Sequence, residues 1–417
     1  HGWIGHLKEL GVNALYLGPL FESTAHGYDT ADYYRVDRRL GDNQTLAWLT
    51  ADLHRQGIHV ILDGVFNHVG RDFWAFRDVQ AYRERSAYRD WFQGLAFTGE
   101  SPYHDPFTYE GWHGYYDLVK LALRHPAVKE HLFQAIAQWV REFEIDGLRL
   151  DVADCLDLDF LRELAAFCRS LRPDFWLMGE VIHGDYRIRA NAEMLDSVTN
   201  YECYKGLYSS HVDKNYFEIA YALNRQFGEG GIYRDLPLYN FADNHDVNRV
   251  ASNLTNPAHL HPLYCLLFTM PGVPSLYYGS EWGLEGRRSD HDDRPLRPAL
   301  NPDIVARTGP HPELAGTIAR LAEIRHATPA LRYGDYRQLS VNSQQFAFAR
   351  QTPEEYIVVL LNAADTPAAF TVPVPEHTGS RLVDLLNPGD TFPVRNGQAV
   401  INPVWPCWAR ILKAEKG

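Results

Sequence analysis

The run GLRLD at 147–151 decides the fold. It is short, β-prone, and ends on a carboxylate. Side chains of an extended strand alternate between faces, so Leu148 and Leu150 share one face while Arg149 and Asp151 share the other. Leucines facing outer helices, with an ion pair on the inner side, are what a strand of a parallel barrel needs. Barrel active sites are assembled at the C-terminal strand ends, where Asp151 falls. The same arrangement recurs along the chain. HVILD ends on Asp63, FWLMGE ends on Glu180, and LYNF leads into FADNHD and Asp246.

Working outward, strands are expected at 12–17, 59–63, 147–151, 176–180, 196–199, 238–241 and 275–278, with amphipathic helices between them. Leu46, Leu49 and Leu53 share a helical face that stops at Gly57. Val128, Leu132, Ile136, Trp139 and Phe143 form another after the helix-starting Pro126. Cys168 falls on an apolar stripe with Leu161, Leu164 and Leu171. Seven strands with a helix ahead of the first predict an α/β chain, a (β/α)8 barrel whose opening strand lies upstream of His1. An open doubly wound sheet is the alternative. The rhythm lapses into an aromatic, glycine-containing excursion between Gly70 and Tyr116, too long for an ordinary loop. After a helix at 312–326 the pattern alternates as in strands, at 344–350, 356–362 and 408–412. The expected domains are a catalytic barrel over 1–69 and 117–330, an inserted domain over 70–116, and a C-terminal antiparallel β-sandwich over 331–417.

Composition narrows the function. With 53 acidic against 40 basic residues, a net charge of −13 and no basic cluster, neither nucleic acid nor an anionic membrane is an expected partner. Cys155, Cys168, Cys203, Cys265 and Cys407 are scattered and lack CxxC spacing, which argues against a disulfide framework and a zinc site and for a reducing, cytoplasmic location. The longest uncharged stretch, 260–280, is interrupted by Pro271, Gly272 and Pro274, so it reads as helix, turn and strand and not as a membrane span. Because the chain opens on His1 and not Met, the true N-terminus, with any targeting signal, is expected upstream.

Arg149 offers Asp151 a cation and hydrogen-bond donors, the means of keeping a nucleophilic carboxylate ionised. The plainer reading is a structural ion pair. Glu180 emerges from the apolar run 175–178, whose desolvation would keep a proton available for donation; a helix cap or a solvated acid is its plainer reading. Two carboxylates with opposed environments suit glycosidic cleavage, one attacking the anomeric carbon and one protonating the leaving oxygen. His68 and His245 are placed to donate to substrate hydroxyls. A metal-dependent hydrolase would want a close HxH or HxxxH pair, which neither histidine has, so no metal is assigned.

Four motifs occurring in order, DGVFNH at 63–68, GLRLDVAD at 147–154, GEV at 179–181 and FADNHD at 241–246, resemble the α-amylase family of glycoside hydrolases. The resemblance runs from Leu7 to about Pro298. It implies a (β/α)8 barrel, a domain inserted after the third strand, and a C-terminal β domain. It also implies Asp151 as nucleophile, Glu180 as general acid/base and Asp246 as the carboxylate that stabilises the transition state. Arg149, His68 and His245 match the family's hydrogen-bonding residues around the cleaved sugar, and Asp63 its supporting carboxylate. Tyr28, in HGYDTADYY, resembles the ring that stacks on that sugar, with a core tyrosine as the alternative. Asp293 and Arg297, in DDRPLRP, resemble a pair gripping the next sugar; a surface salt bridge is the alternative. His183, after GEVI, is similar to the acceptor-side histidine of neopullulanase and cyclomaltodextrinase relatives, and LVKLAL at 118–123 is similar to their MPKLN, with Ala122 in place of Asn. Asn67 matches one calcium ligand. Asp154 and Cys155, however, stand where calcium-dependent α-amylases carry Lys and His.

The function expected is retaining hydrolysis of α-1,4-glucosidic bonds in maltooligosaccharides, maltodextrins or related α-glucans, with no required cofactor. The alternatives are a transglycosylase using the same carboxylates and a catalytically silent sugar-binding barrel.

Overall fold

The structure, a computed structural model, describes residues 2–289 and 292–416. Cα packing divides the chain into two compact units, one spanning Asn13–Val198 and the other His1–Val12 with Thr199–Gly417.

The first unit is built on a parallel five-stranded sheet in the order Ala14–Leu17, His59–Gly64, Gly147–Leu150, Trp176–Gly179, Ser197–Val198. Each β-strand is followed by a chain excursion that returns to the next, the connection a parallel pair requires. In Gly147–Leu150 all four residues are buried, as in a sheet covered on both faces. Gly147 is needed for its close approach, since a Cβ there would lie 2.3 Å from the Trp176 carbonyl oxygen. Register places Asp63 opposite Arg149 and Leu150 opposite Gly179, so Asp63, Asp151 and Glu180 leave their strands at the same end.

The covering helices follow their sequence signals. Asn43–Arg55 is capped by Asp42, whose carboxylate accepts from the Thr45 amide. Its buried face is Leu46, Thr50 and Leu53; Leu49, expected there, is only half-buried, and Thr50 is accommodated because its hydroxyl donates to the Leu46 and Ala47 carbonyls. Pro126–Phe143 buries Val128, Leu132, Ile136, Trp139 and Phe143 as expected. In Leu158–Leu171, Cys168 is buried with Leu161 and Leu164, whereas Leu171, at the last turn, is exposed.

Between the second and third parallel strands lies the aromatic excursion. It forms an antiparallel three-stranded sheet, with Tyr115–Lys120 between His68–Gly70 and Gly111–Trp112, and a helix, Trp74–Tyr82. Phe76, Phe92, Phe107 and Tyr109 supply its core, and Arg71 bridges to Asp105 at 2.7 Å.

In the second unit Tyr239–Asn240 pairs in parallel with Val273–Pro274. The last parallel strand was expected at 275–278. Ser275 donates one more ladder bond to Asn240, and the chain then turns through Gly279, whose φ of 89° ends the extended run. Tyr277 and Tyr278 owe their strand-like composition to another task, donating their hydroxyls to the Leu296 and Pro298 carbonyls. The 260–280 stretch is the buried helix Leu260–Thr269, a turn and this short strand; among the described residues no helix is long and apolar enough to cross a membrane. Beyond Leu314–Ala327 the chain forms an eight-stranded antiparallel array, Asp335–Val341 at one end and Ala368–Pro373 at the other. Its core joins Val358 and Leu360 to Phe370, Val372 and Ile401.

Candidate active site

Arg149 is the hub of the first unit's site. Its guanidinium is buried, and it touches three carboxylates: Nη1 donates to Asp63 Oδ1 at 3.0 Å and to Asp151 Oδ1 at 2.8 Å, and Nη2 lies 2.9 Å from Glu180 Oε2. Burial works against its charge, but Asp63 and Glu180 outweigh it and hold its pKa well above the ordinary value. Asp63 also accepts from Tyr16 at 2.7 Å and from Tyr28 at 3.2 Å. Burial, reinforced by Asp63, keeps the Tyr28 hydroxyl protonated and therefore a donor.

One guanidinium cannot hold three acids ionised in a site nearly closed to water. Burial drives the Asp151 pKa well above the usual carboxylate range; Arg149 pulls it back, while Asp63 and Glu180 push it up again. The expectation that Arg149 simply keeps Asp151 ionised is corrected accordingly. The contact is present, but its effect is divided among three acids.

His68 extends from the strand after Asp63. Its Nδ1 lies 3.2 Å from the Asn67 side-chain amide, and the ring also pairs with the Tyr28 backbone. Nε2 is buried, has no hydrogen-bond partner, and lies 4.0 Å from Asp151 Oδ2. Burial lowers the His68 pKa to about 4, so the ring is neutral near pH 7. Asn67, the residue matching a calcium ligand, has turned its amide to this ring, and a soft thiol, Cys155, holds the place of the family's histidine.

Two contributors have no signal in the sequence. Val152, directly after Asp151, sits at φ 41°, a conformation costly for a β-branched residue, and its amide donates to Glu180 Oε2 at 3.1 Å. Tyr16, next to last in its strand, reads as an ordinary aromatic. Its role emerges only when parallel register sets it beside Asp63. His183 is exposed beyond Glu180.

In the second unit, Tyr239–Asn240 delivers the loop with His245 and Asp246. Asp246 Oδ2 lies 3.0 Å from His245 Nε2, and its Oδ1 accepts from Arg297 at 3.3 Å. Arg297 also meets Asp293 at 2.9 Å, the expected pair. The loop is pinned at its base by buried Asp243, which accepts from the Val250 amide and the Ser280 hydroxyl, both at 2.8 Å.

Comparison with known proteins shows the family. The family described as "Alpha amylase, catalytic domain" matches residues 3–306. A cyclomaltodextrinase from Bacillus sp. is 34% identical over 369 residues, 86% of this chain and 64% of its own length. Neopullulanase 2 of Thermoactinomyces vulgaris is 33% identical over 409 residues, 94% of this chain and 66% of its own. The chain therefore spans just under two thirds of the length of these curated relatives. A solved cyclomaltodextrinase superposes with a TM-score of 0.88 at 30% identity, covering 99% of this chain and 70% of that one. By family match, sequence and fold alike, the chain belongs to the alpha-amylase catalytic-domain family and has its fold class, an α/β (β/α)8 barrel with a C-terminal antiparallel eight-stranded domain.

Proposed function

We propose that the protein is a retaining glycoside hydrolase acting on α-1,4-glucosidic bonds of maltooligosaccharides or related α-glucans. The observation that carries this reading is the buried Arg149 shared by Asp63, Asp151 and Glu180, with the unpartnered His68 Nε2 facing Asp151. A neutral, hydroxyl-rich ligand satisfies that nitrogen without adding charge to a site already rich in acids.

In the first step an Asp151 carboxylate oxygen attacks the anomeric carbon. The bond to the glycosidic oxygen breaks, and Glu180 gives that oxygen its proton. In the second step Glu180 takes a proton from water, the water oxygen bonds to the anomeric carbon, and the ester to Asp151 breaks. Two inversions restore the α configuration. A retaining pair stands roughly 5–5.5 Å apart. Asp151 and Glu180, each hydrogen-bonded to the same guanidinium, are suited to such a separation. Asp246 is assigned the third carboxylate, with His245, Arg297 and Asp293 beside it as substrate contacts; Tyr28 and His183 are assigned to the sugar-binding wall. The five cysteines are free thiols, four of them buried, which supports the cytoplasm as the location.

The test is the first-formed product, followed by proton NMR on maltotriose, cyclodextrin, pullulan and starch. The α anomer is expected. An initial β product contradicts the mechanism, and transfer products that dominate over hydrolysis at high acceptor concentration would assign a transglycosylase instead.

A further inference from the structure

The hairpin at the end of the inserted segment is joined to the acid site. Its strand Tyr115–Lys120 pairs with His68–Gly70, Lys120 opposite His68, and with Gly111–Trp112 on its other edge. Gly111 permits the pairing, since a Cβ there would lie 2.3 Å from the Tyr115 carbonyl oxygen, and His113 and Gly114 make the turn with φ of 48° and 82°. The tight turn brings the Trp112 ring to the His68 imidazole, centroids 5.5 Å apart at an angle of 32°. His113 meets the indole edge-on at 4.8 Å and Tyr115 stacks at 6.2 Å, so the ring is held from both sides.

The indole Nε1–H is buried and meets no oxygen acceptor. Beside it is the Cys155 thiol, a weak acceptor that does not replace an oxygen. An indole placed only to fill a core would keep this donor wet or bonded to oxygen, because burying it without such a partner is costly. Two neighbouring rings, His68 and Trp112, thus each hold a buried nitrogen that meets no oxygen of the protein, the first beside Asp151. A sugar offers what both lack, closely spaced hydroxyl oxygens and an apolar C–H face that an indole covers.

We propose that Trp112 is a substrate-binding residue whose Nε1–H donates to a hydroxyl oxygen of the α-glucan next to the hydroxyl that His68 takes. The hairpin 111–115 then reads the substrate's hydroxyl pattern. This rests on the assignment of Asp151 as the residue facing the cleaved sugar.

Binding is measured by calorimetry on the full chain carrying Asp151→Asn, with maltotriose and its monodeoxy analogues. Trp112→Phe, which keeps a ring and removes only the donor, should weaken maltotriose binding about 5- to 10-fold. One monodeoxy sugar should lose affinity in Asp151→Asn but lose no more when Trp112→Phe is added. Trp112→Leu is made in parallel, and thermal melts identify a variant that has not folded. Equal maltotriose affinity with and without the indole overturns the proposal, as does a deoxy pattern that Trp112→Phe leaves unchanged. Failure of Asp151→Asn itself to bind any maltooligosaccharide overturns the underlying functional reading as well.

Discussion

Arg149 in the first unit and Arg350 in the second are both buried guanidiniums, yet they are satisfied in opposite ways. Arg350 donates to neutral carbonyls, Thr269 at 2.7 Å, Gly334 at 2.8 Å and Leu331 at 3.0 Å, and burial lowers its pKa to about 9. It staples a helix end to the β array and leaves nothing over. Arg149 instead faces three acids, more than one guanidinium can hold ionised, beside a strained Val152 and an unpartnered His68 Nε2. Where every polar group is matched the protein is building structure; where acids exceed cations and donors are left open, it is prepared for something that arrives later.

Breaking the overcharged cluster should give the largest effect. Asp151→Asn should lower activity by on the order of 10,000-fold or more, read as reducing-sugar release. The same substitution should raise the melting temperature at pH 7 by roughly 2–4 °C, because it relieves a buried, unbalanced anion. A large activity loss with a lower melting temperature would mean that the acid is part of the scaffold.

The two arginines can be compared directly. Arg149→Lys keeps the charge but loses the fork that reaches three acids, so kcat should fall by about 100-fold. Arg350→Lys should change kcat by less than about twofold while costing stability, roughly 1–3 kcal/mol, in denaturant unfolding. Equal effects of the two on kcat would erase the distinction drawn here.

A smaller effect lies in pH dependence, where the two titrating groups act with opposite signs. Asp151 has a raised pKa in the folded state, so its contribution to stability is present below the unfolded carboxylate range and lost as pH rises through its folded value. Attack requires it ionised, so kcat/KM should fall on the acid side with a midpoint above the ordinary aspartate range. His68 has a lowered pKa, about 4, and its contribution is present above its unfolded value and lost as pH falls toward 4. His68→Gln should remove that part of the acid destabilisation, seen in melts taken between about pH 6.5 and 4. An unchanged acid profile in His68→Gln would mean that the ring is not buried in its neutral form.

Much of this was readable from residues alone. Asp63, Asp151 and Glu180 close β-prone runs, and the two-residue period of a strand already sets Arg149 and Asp151 on one side. What was hidden depends on neighbours that are distant in sequence. Tyr16 becomes an Asp63 ligand only through register, and a valine gives no sign of left-handed backbone. Leu49 yielded its expected place to Thr50 because a hydroxyl can bond its own helix. The sharing of Arg149 by three acids, and with it the raised Asp151 pKa, needs all three strand ends together in space.

The most direct test of the central claim is covalent trapping. A fluorinated α-glucosyl fluoride, which slows ester breakdown more than ester formation, should leave one sugar attached to the protein, and peptide mass spectrometry should place it on Asp151. Attachment to Glu180, or complete turnover of substrate by Asp151→Asn at the wild-type rate, would contradict the assignment.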